Sequence, residues 1–191
     1  MIRRRILLSA AALLLLFPAT RARAEDIVVP IPLQADLSGK VAAYDRNFGA
    51  RAGETAKILI LTKSGDALST RIGTQAQKAF SELPDFGGLA HSETVATYSS
   101  ATELASACKT KKYAAVYLTP GFDGDVAAIA EALKGINVLT ISAVPGYVPK
   151  GIVLGFDTDS GKSKLLVNLK QAKEQSVSFK PEMLKLMKVY S

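Results

Sequence analysis

Few side chains in this sequence stand at the spacings that chemistry demands, and each set falls short in a nameable way. Lys63-Ser64-Gly65 brings together the residue types of a phosphate-binding loop. Such a loop needs its glycines ahead of the Lys-Ser pair, so that backbone N–H groups cradle the phosphates; here the order is reversed. Gly121 and Gly124 follow a predicted strand and open a predicted helix. Their spacing is not G-x-G-x-x-G, and Asp123 and Asp125 would repel a phosphate, so these two acids are expected to serve the start of the helix. Asp157-Thr158-Asp159-Ser160-Gly161 carries oxygen ligands in a calcium-loop order, but that loop wants glycine sixth and glutamate twelfth. Glycine is fifth here and the twelfth residue is Asn168, which makes the segment a hairpin turn.

His91 is the only histidine and Cys108 the only cysteine. Zinc sites draw on several such ligands, so no metal is expected. A serine triad would have to use His91, yet no G-x-S-x-G elbow is present. Cys108 shares an apolar helical face with Leu104 and Ala105 and reads as a small buried hydrophobe. With no nucleophile–base pair to name, catalysis is not expected, nor is a cofactor. What remains is surface that binds. Tyr44, Arg46 and Phe48 end the first predicted helix, Tyr147 follows Gly146 in the loop before the hairpin, and Phe156 lies in the hairpin itself. These five are the candidate partner-binding residues, arginine and tyrosine being enriched at the energetic centres of interfaces. Periodicity assigns Tyr44 and Phe48 to the core as well, whereas Arg46 and Tyr147 are expected to be exposed.

The elements that must position these residues begin after a leader. Arg3, Arg4 and Arg5 precede a mostly apolar stretch from Ile6 to Ala19, and Ala22-Arg23-Ala24 offers small residues for cleavage. This is the form of a secretory signal peptide, cut after Ala24. Its apolar run falls short of the roughly 20 residues that span a bilayer, and no cysteine near the cut offers a lipid anchor. The leader holds five of the 24 basic residues and no acid, so residues 25–191 carry 19 basic against 17 acidic side chains. A net charge of +2 gives no obvious basic face for a nucleic acid. Lys109, Lys111 and Lys112 suit the C-terminus of a helix. Residues 25–191 fit a single domain, and one cysteine allows no internal disulfide.

Pro30 and Pro32 make Glu25–Pro32 an extended lead-in. Leu33, Leu37, Val41, Tyr44 and Phe48 then recur at helical spacing, with Gly49 placed to stop the helix. Strands are predicted over Lys57–Thr62, Thr94–Tyr98, Tyr113–Leu118 and Val138–Ser142. They alternate with helices that run from Asp66 as cap to about Leu83, from Ala101 to Lys111 and from Asp125 to Leu133. That alternation implies right-handed crossovers and a mainly parallel sheet with helices on both faces, a three-layer α/β fold. Gly151–Asp157 and Lys162–Leu169 form an antiparallel hairpin at the sheet edge, and short helices over Lys170–Gln175 and Pro181–Lys188 close the chain.

Four C-terminal pieces carry a resemblance: Val138-Leu139-Thr140-Ile141-Ser142, Gly151-Ile152-Val153-Leu154-Gly155-Phe156, Leu166-Val167-Asn168-Leu169 with Ala172, and Leu184-Lys185-Leu186-Met187-Lys188-Val189. In this order and spacing the chain resembles the YfiR family of periplasmic regulators. Lys40–Phe48 looks like a variant of that family's first helix. The resemblance implies a secreted, non-catalytic protein that holds an inner-membrane diguanylate cyclase, or a similar membrane sensor, inactive through its periplasmic domain; it also admits a homodimer. Known members carry cysteine pairs, so redox control through a disulfide does not transfer to a chain with Cys108 alone. The competing expectation is a periplasmic small-ligand binding protein, using the loops Lys63–Asp66, Pro120–Asp125 and Ala143–Lys150 at the carboxyl ends of the parallel strands.

Overall fold

The computed structural model describes residues 27–191; the expected leader and its cleavage point lie outside them. Seven helices and seven strands follow in chain order: α1 (Ile31–Ala42), α2 (Phe48–Ala52), β1 (Thr55–Lys63), α3 (Ala67–Ser81), β2 (Ala90–Tyr98), α4 (Ala101–Lys111), β3 (Ala115–Leu118), α5 (Val126–Ala132), β4 (Leu139–Ser142), β5 (Leu154–Asp159), β6 (Lys162–Asn168), α6 (Leu169–Glu174), α7 (Pro181–Leu184) and β7 (Met187–Tyr190). A 3₁₀ turn at Pro145–Tyr147 links β4 to β5. The strands form one sheet in the order β2-β1-β3-β4-β5-β6-β7, parallel everywhere except at the β5–β6 hairpin.

The sheet is buried from both sides because its central strands are mostly apolar, with β3 and β4 buried at every position, and alternation sends neighbours to opposite faces. Ile58 and Ile60 of β1, with Ala115 and Tyr117 of β3, enter one core beneath α1 and α3. Leu59, Leu61, Val116 and Leu118 enter the other beneath α4 and α5. Each fully buried Ile or Leu contributes about 1.5–3 kcal/mol. On the α1 side, aromatic contacts run from Phe48 to Phe86, Phe80 and Tyr117 with ring centroids 5.3–5.9 Å apart. Buried Gln34 ties α1 to the sheet: its Nε2 donates to the Val29 carbonyl at 2.8 Å and its Oε1 accepts from the Tyr117 hydroxyl at 2.8 Å.

Three expectations are corrected. The first helix does not run to Phe48. It stops at Ala42, α2 begins afresh at Phe48, and Gly49 lies inside α2 rather than ending a helix. Asp45 forces the break: its carboxylate accepts the N–H groups of Asn47 and Ser178 and pairs with Arg51, which a continuous helix would not allow. The hairpin is not the sheet edge, because β7 pairs parallel to β6 outside it. Pro181–Lys188 is accordingly helical only to Leu184. Four helical residues cannot sustain a helix by themselves, and pairing with β6 captures Met187–Tyr190, which buries Met187. The hairpin turn itself is as read, with Ser160 and Gly161 at φ of 51° and 76°, the left-handed pair that a two-residue hairpin requires.

Candidate functional site

The strand order β2-β1-β3-β4-β5 places a topological switch point at the carboxyl ends of β1 and β3, where open α/β sheets take ligands. Here that crevice is filled by the protein's own groups. The Lys63 N–H donates to Ser69 Oγ at 2.7 Å, Ser69 Oγ meets Thr119 Oγ1 at 2.6 Å, and Thr119 Oγ1 donates to the Leu61 carbonyl at 2.9 Å. Asp66 caps α3 by accepting the Ser69 N–H at 2.8 Å, so a carboxylate already occupies the place an anion would take. Gly121, at φ 96°, is pressed so close that a Cβ there would lie 2.7 Å from Asp66 Oδ2.

Around the crevice, ion pairs bind the loops to one another. Lys63 Nζ lies 2.6 Å from Asp125 Oδ2, 5.0 Å from the Tyr98 ring centroid and 5.8 Å from that of Phe122. Burial, reinforced by Asp125 and partly opposed by Lys63, holds the Tyr98 hydroxyl above its ordinary pKa. Lys150 Nζ lies 2.6 Å from Asp123 Oδ1. The two acids expected to serve the start of α5 are thus engaged by lysines of neighbouring loops, and Asp125, although it stands at the N-cap position, makes no side-chain capping bond. This network latches loops together.

The remaining titratable candidates are committed as well. His91 Nδ1 contacts Glu93 and its Nε2 lies 3.1 Å from the Leu83 carbonyl. Cys108 is buried on α4, and burial pushes its thiol up to about 12. Among the described residues no cluster of three or more His, Cys, Asp or Glu side chains is placed to hold a metal ion, and no helix is long and apolar enough to cross a membrane.

Open surface of a binding kind lies instead on the α1–α3 layer. A groove of about 670 Å³ runs between the start of α1 and the length of α3. Ile31, Leu68, Ile72 and Ala79 contribute its apolar lining, and its charged part is Arg71 with Lys78 and Glu82, which lie 3.8 Å apart as an ion pair. Beside it Leu33 is 38% exposed, and at the other end of α1 Tyr44 is also 38% exposed. The five sequence candidates separate cleanly. Tyr44 and Arg46 share the exposed turn after α1, where Lys180 Nζ sits 5.6 Å from the Tyr44 ring centroid. Tyr44 is therefore at the surface and not in the core. Phe48, Tyr147 and Phe156 are in the core. Tyr147, expected outside, is fully buried, with its hydroxyl accepting the Phe122 N–H at 2.8 Å; a 3₁₀ turn, not an open loop, holds it there. Sequence reasoning missed the groove. Its trace was present in α3, where Leu68, Ile72 and Ala79 recur at helical spacing beside Arg71, Gln75 and Lys78.

The model of the DUF4154 family, described as YfiR/HmsC-like, matches residues 47–188. No curated protein matches the chain in sequence. Among solved structures, the chain is similar to a conserved domain protein from Vibrio cholerae O1 biovar El Tor, at 14% identity and a TM-score of 0.56, covering 85% of this chain and 60% of that one. It is also similar to a structure titled as an ABC domain in complex with L-Trp from Streptococcus pneumoniae, at 14% identity and a TM-score of 0.57, with coverages of 84% and 61%. A third is the ligand-free, open form of a substrate binding protein with adhesive properties from Clostridium difficile, at 12% identity and a TM-score of 0.53, with coverages of 76% and 57%. The chain spans about 60% of the length of these structures, and the likeness is one of α/β fold.

Proposed function

Because the chain belongs to the YfiR/HmsC-like family, we propose that it is an exported, non-catalytic periplasmic regulator that binds the sensor domain of an inner-membrane signalling protein of the diguanylate cyclase kind and represses it. Family membership carries this reading. It is supported by a switch-point crevice closed on itself and by a largely apolar groove edged by Arg71, Lys78 and Glu82 on the α1–α3 layer. Residues 1–24 are removed after Ala24, and residues 25–191 act as one domain. The mechanism is a population shift: a regulator that prefers one conformation of its partner by about 3 kcal/mol shifts that partner's equilibrium on the order of 100-fold. The α1–α3 layer, with Leu33 at one end and Tyr44 and Arg46 at the other, is the docking surface.

The test is to recover the chain from membranes of a strain that expresses it, after cross-linking from Leu33 or Arg71, while cyclic di-GMP is measured with and without the gene. Capture of an integral signalling protein together with a rise in cyclic di-GMP on deletion is expected. An unchanged cyclic di-GMP level with no integral protein captured would sink the reading. The groove volume, within the range of small-molecule sites of about 300–1,000 Å³, favours a second reading as a small-ligand binding protein. A large, selective thermal shift with one amino acid, sugar or nucleotide, abolished by Arg71→Ala, would decide for it.

A further inference from the structure

On the opposite face of the sheet, under the C-terminal end of α4, lies a hollow of about 550 Å³ lined by Lys57, Lys111, Lys112, Ser92, Thr94 and Thr110. We propose that this hollow binds a phosphate group, borne by a small organic phosphate or by a lipid headgroup; the proposal is independent of the docking surface above. Strand alternation builds it. Lys57 stands opposite Ser92 in the β1–β2 ladder and Leu59 opposite Thr94, so the lysine and both hydroxyls point to the α4 side of the sheet. α4 then ends over them, its last residue Lys111 followed by Lys112 at φ 55°.

No carboxylate lines the hollow, and among the described residues none of its three lysines forms an ion pair. A helix C-terminus accounts for one cation, and Lys57 Nζ already donates to the Lys111 carbonyl at 3.4 Å. Lys111 and Lys112 line the same space, which also presents the hydroxyls of Ser92 and Thr94, that of Thr110 being donated to the Ser106 carbonyl at 2.8 Å. Lysines act as point-charge phosphate binders, and hydroxyls supply the neutral bonds to the remaining oxygens.

The test uses the purified protein with two sets of probes. Inorganic phosphate and glycerol phosphate are titrated by calorimetry, and vesicles of phosphatidylglycerol are compared with vesicles of phosphatidylcholine by co-sedimentation. The variant Lys57→Gln/Lys111→Gln/Lys112→Gln is compared with Lys162→Gln/Lys164→Gln/Lys188→Gln, which removes the same charge elsewhere on the surface. Ser92→Ala/Thr94→Ala tests the hydroxyls without altering charge. The expected result is binding weakened at least about tenfold in the first variant and several-fold in the hydroxyl variant, with the second lysine variant unaffected. If the soluble phosphates show this pattern the source is a free phosphate ester; if only phosphatidylglycerol vesicles do, it is a headgroup. Absence of binding to both sets of probes, or equal weakening in the two lysine variants, overturns the proposal.

Discussion

Asp45 Oδ2 lies 2.7 Å from Arg51 Nη1, and both side chains are shut off from solvent. The pair fastens three distant segments together. Asp45 Oδ1 accepts the N–H groups of Asn47 and Ser178, while Arg51 Nε donates to Asn137 Oδ1 at 2.6 Å and Nη2 to the Ser176 carbonyl at 3.2 Å. Burial lowers the Arg51 pKa, and Asp45 opposes that shift. Removing either partner leaves a buried charge without compensation, so Asp45→Ala or Arg51→Ala should each cost about 3–5 kcal/mol. Asp45→Leu/Arg51→Met, which removes both charges, should cost less than the sum of the single variants. Urea midpoints at constant m-value check both statements.

The five sequence candidates should divide by depth. Phe48→Ala and Phe156→Ala each open a cavity in the core and should cost about 3–5 kcal/mol. Tyr147→Phe removes the acceptor of the buried Phe122 N–H and should cost about 1–3 kcal/mol. Tyr44→Ala with Arg46→Glu touches only surface and should stay within about 0.5 kcal/mol of the parent per site. In the docking reading, that same variant should reduce recovery of the membrane partner at least about tenfold. Thermal unfolding beside the membrane pull-down separates the two groups.

Gly73 lies inside α3, where alanine would ordinarily gain about 1 kcal/mol in helix propensity. A Cβ at this position would land 2.4 Å from Thr62 Cγ2, and Thr62 is pinned by the bond from its hydroxyl to the Ala96 carbonyl at 3.2 Å. Overpacking of this kind costs about 1–3 kcal/mol, so Gly73→Ala should be net destabilising by about 1 kcal/mol. Adding Thr62→Ser, which deletes the methyl group and keeps the hydroxyl, should restore the loss. Denaturant unfolding of the single and double variants measures it.

Cys108 should make stability fall in alkali. The unfolded thiol loses its proton above about pH 8.5, whereas burial holds the folded one up to about 12. Between those values the folded chain binds the extra proton, so this group's contribution declines by about 1.4 kcal/mol per pH unit as pH rises. Below pH 8 it is fully present. The stability gap between the parent and Cys108→Ala should therefore narrow from pH 8 to 10, as read from urea midpoints. In the same range iodoacetamide should label Cys108 only after unfolding.

Much of this architecture was legible along the chain, because its signals are local. Continuous apolar runs such as that of Lys57–Thr62 declare a strand buried on both faces, Asp66 announces a helix start through its own side chain, and Ser160-Gly161 can close only a tight turn. The poverty of reactive groups was equally plain, since one histidine and one cysteine cannot be multiplied by folding. Tertiary structure alone decided what depends on residues far apart. Asp45 breaks the first helix because Ser178 and Arg51 claim its carboxylate. Met187–Tyr190 becomes a strand because β6 offers an open edge. Tyr147 is buried because Phe122 needs an acceptor there. The groove and the lysine hollow have the same origin: each joins residues whose approach is set by how helices pack on a sheet, and sequence spacing does not encode that distance.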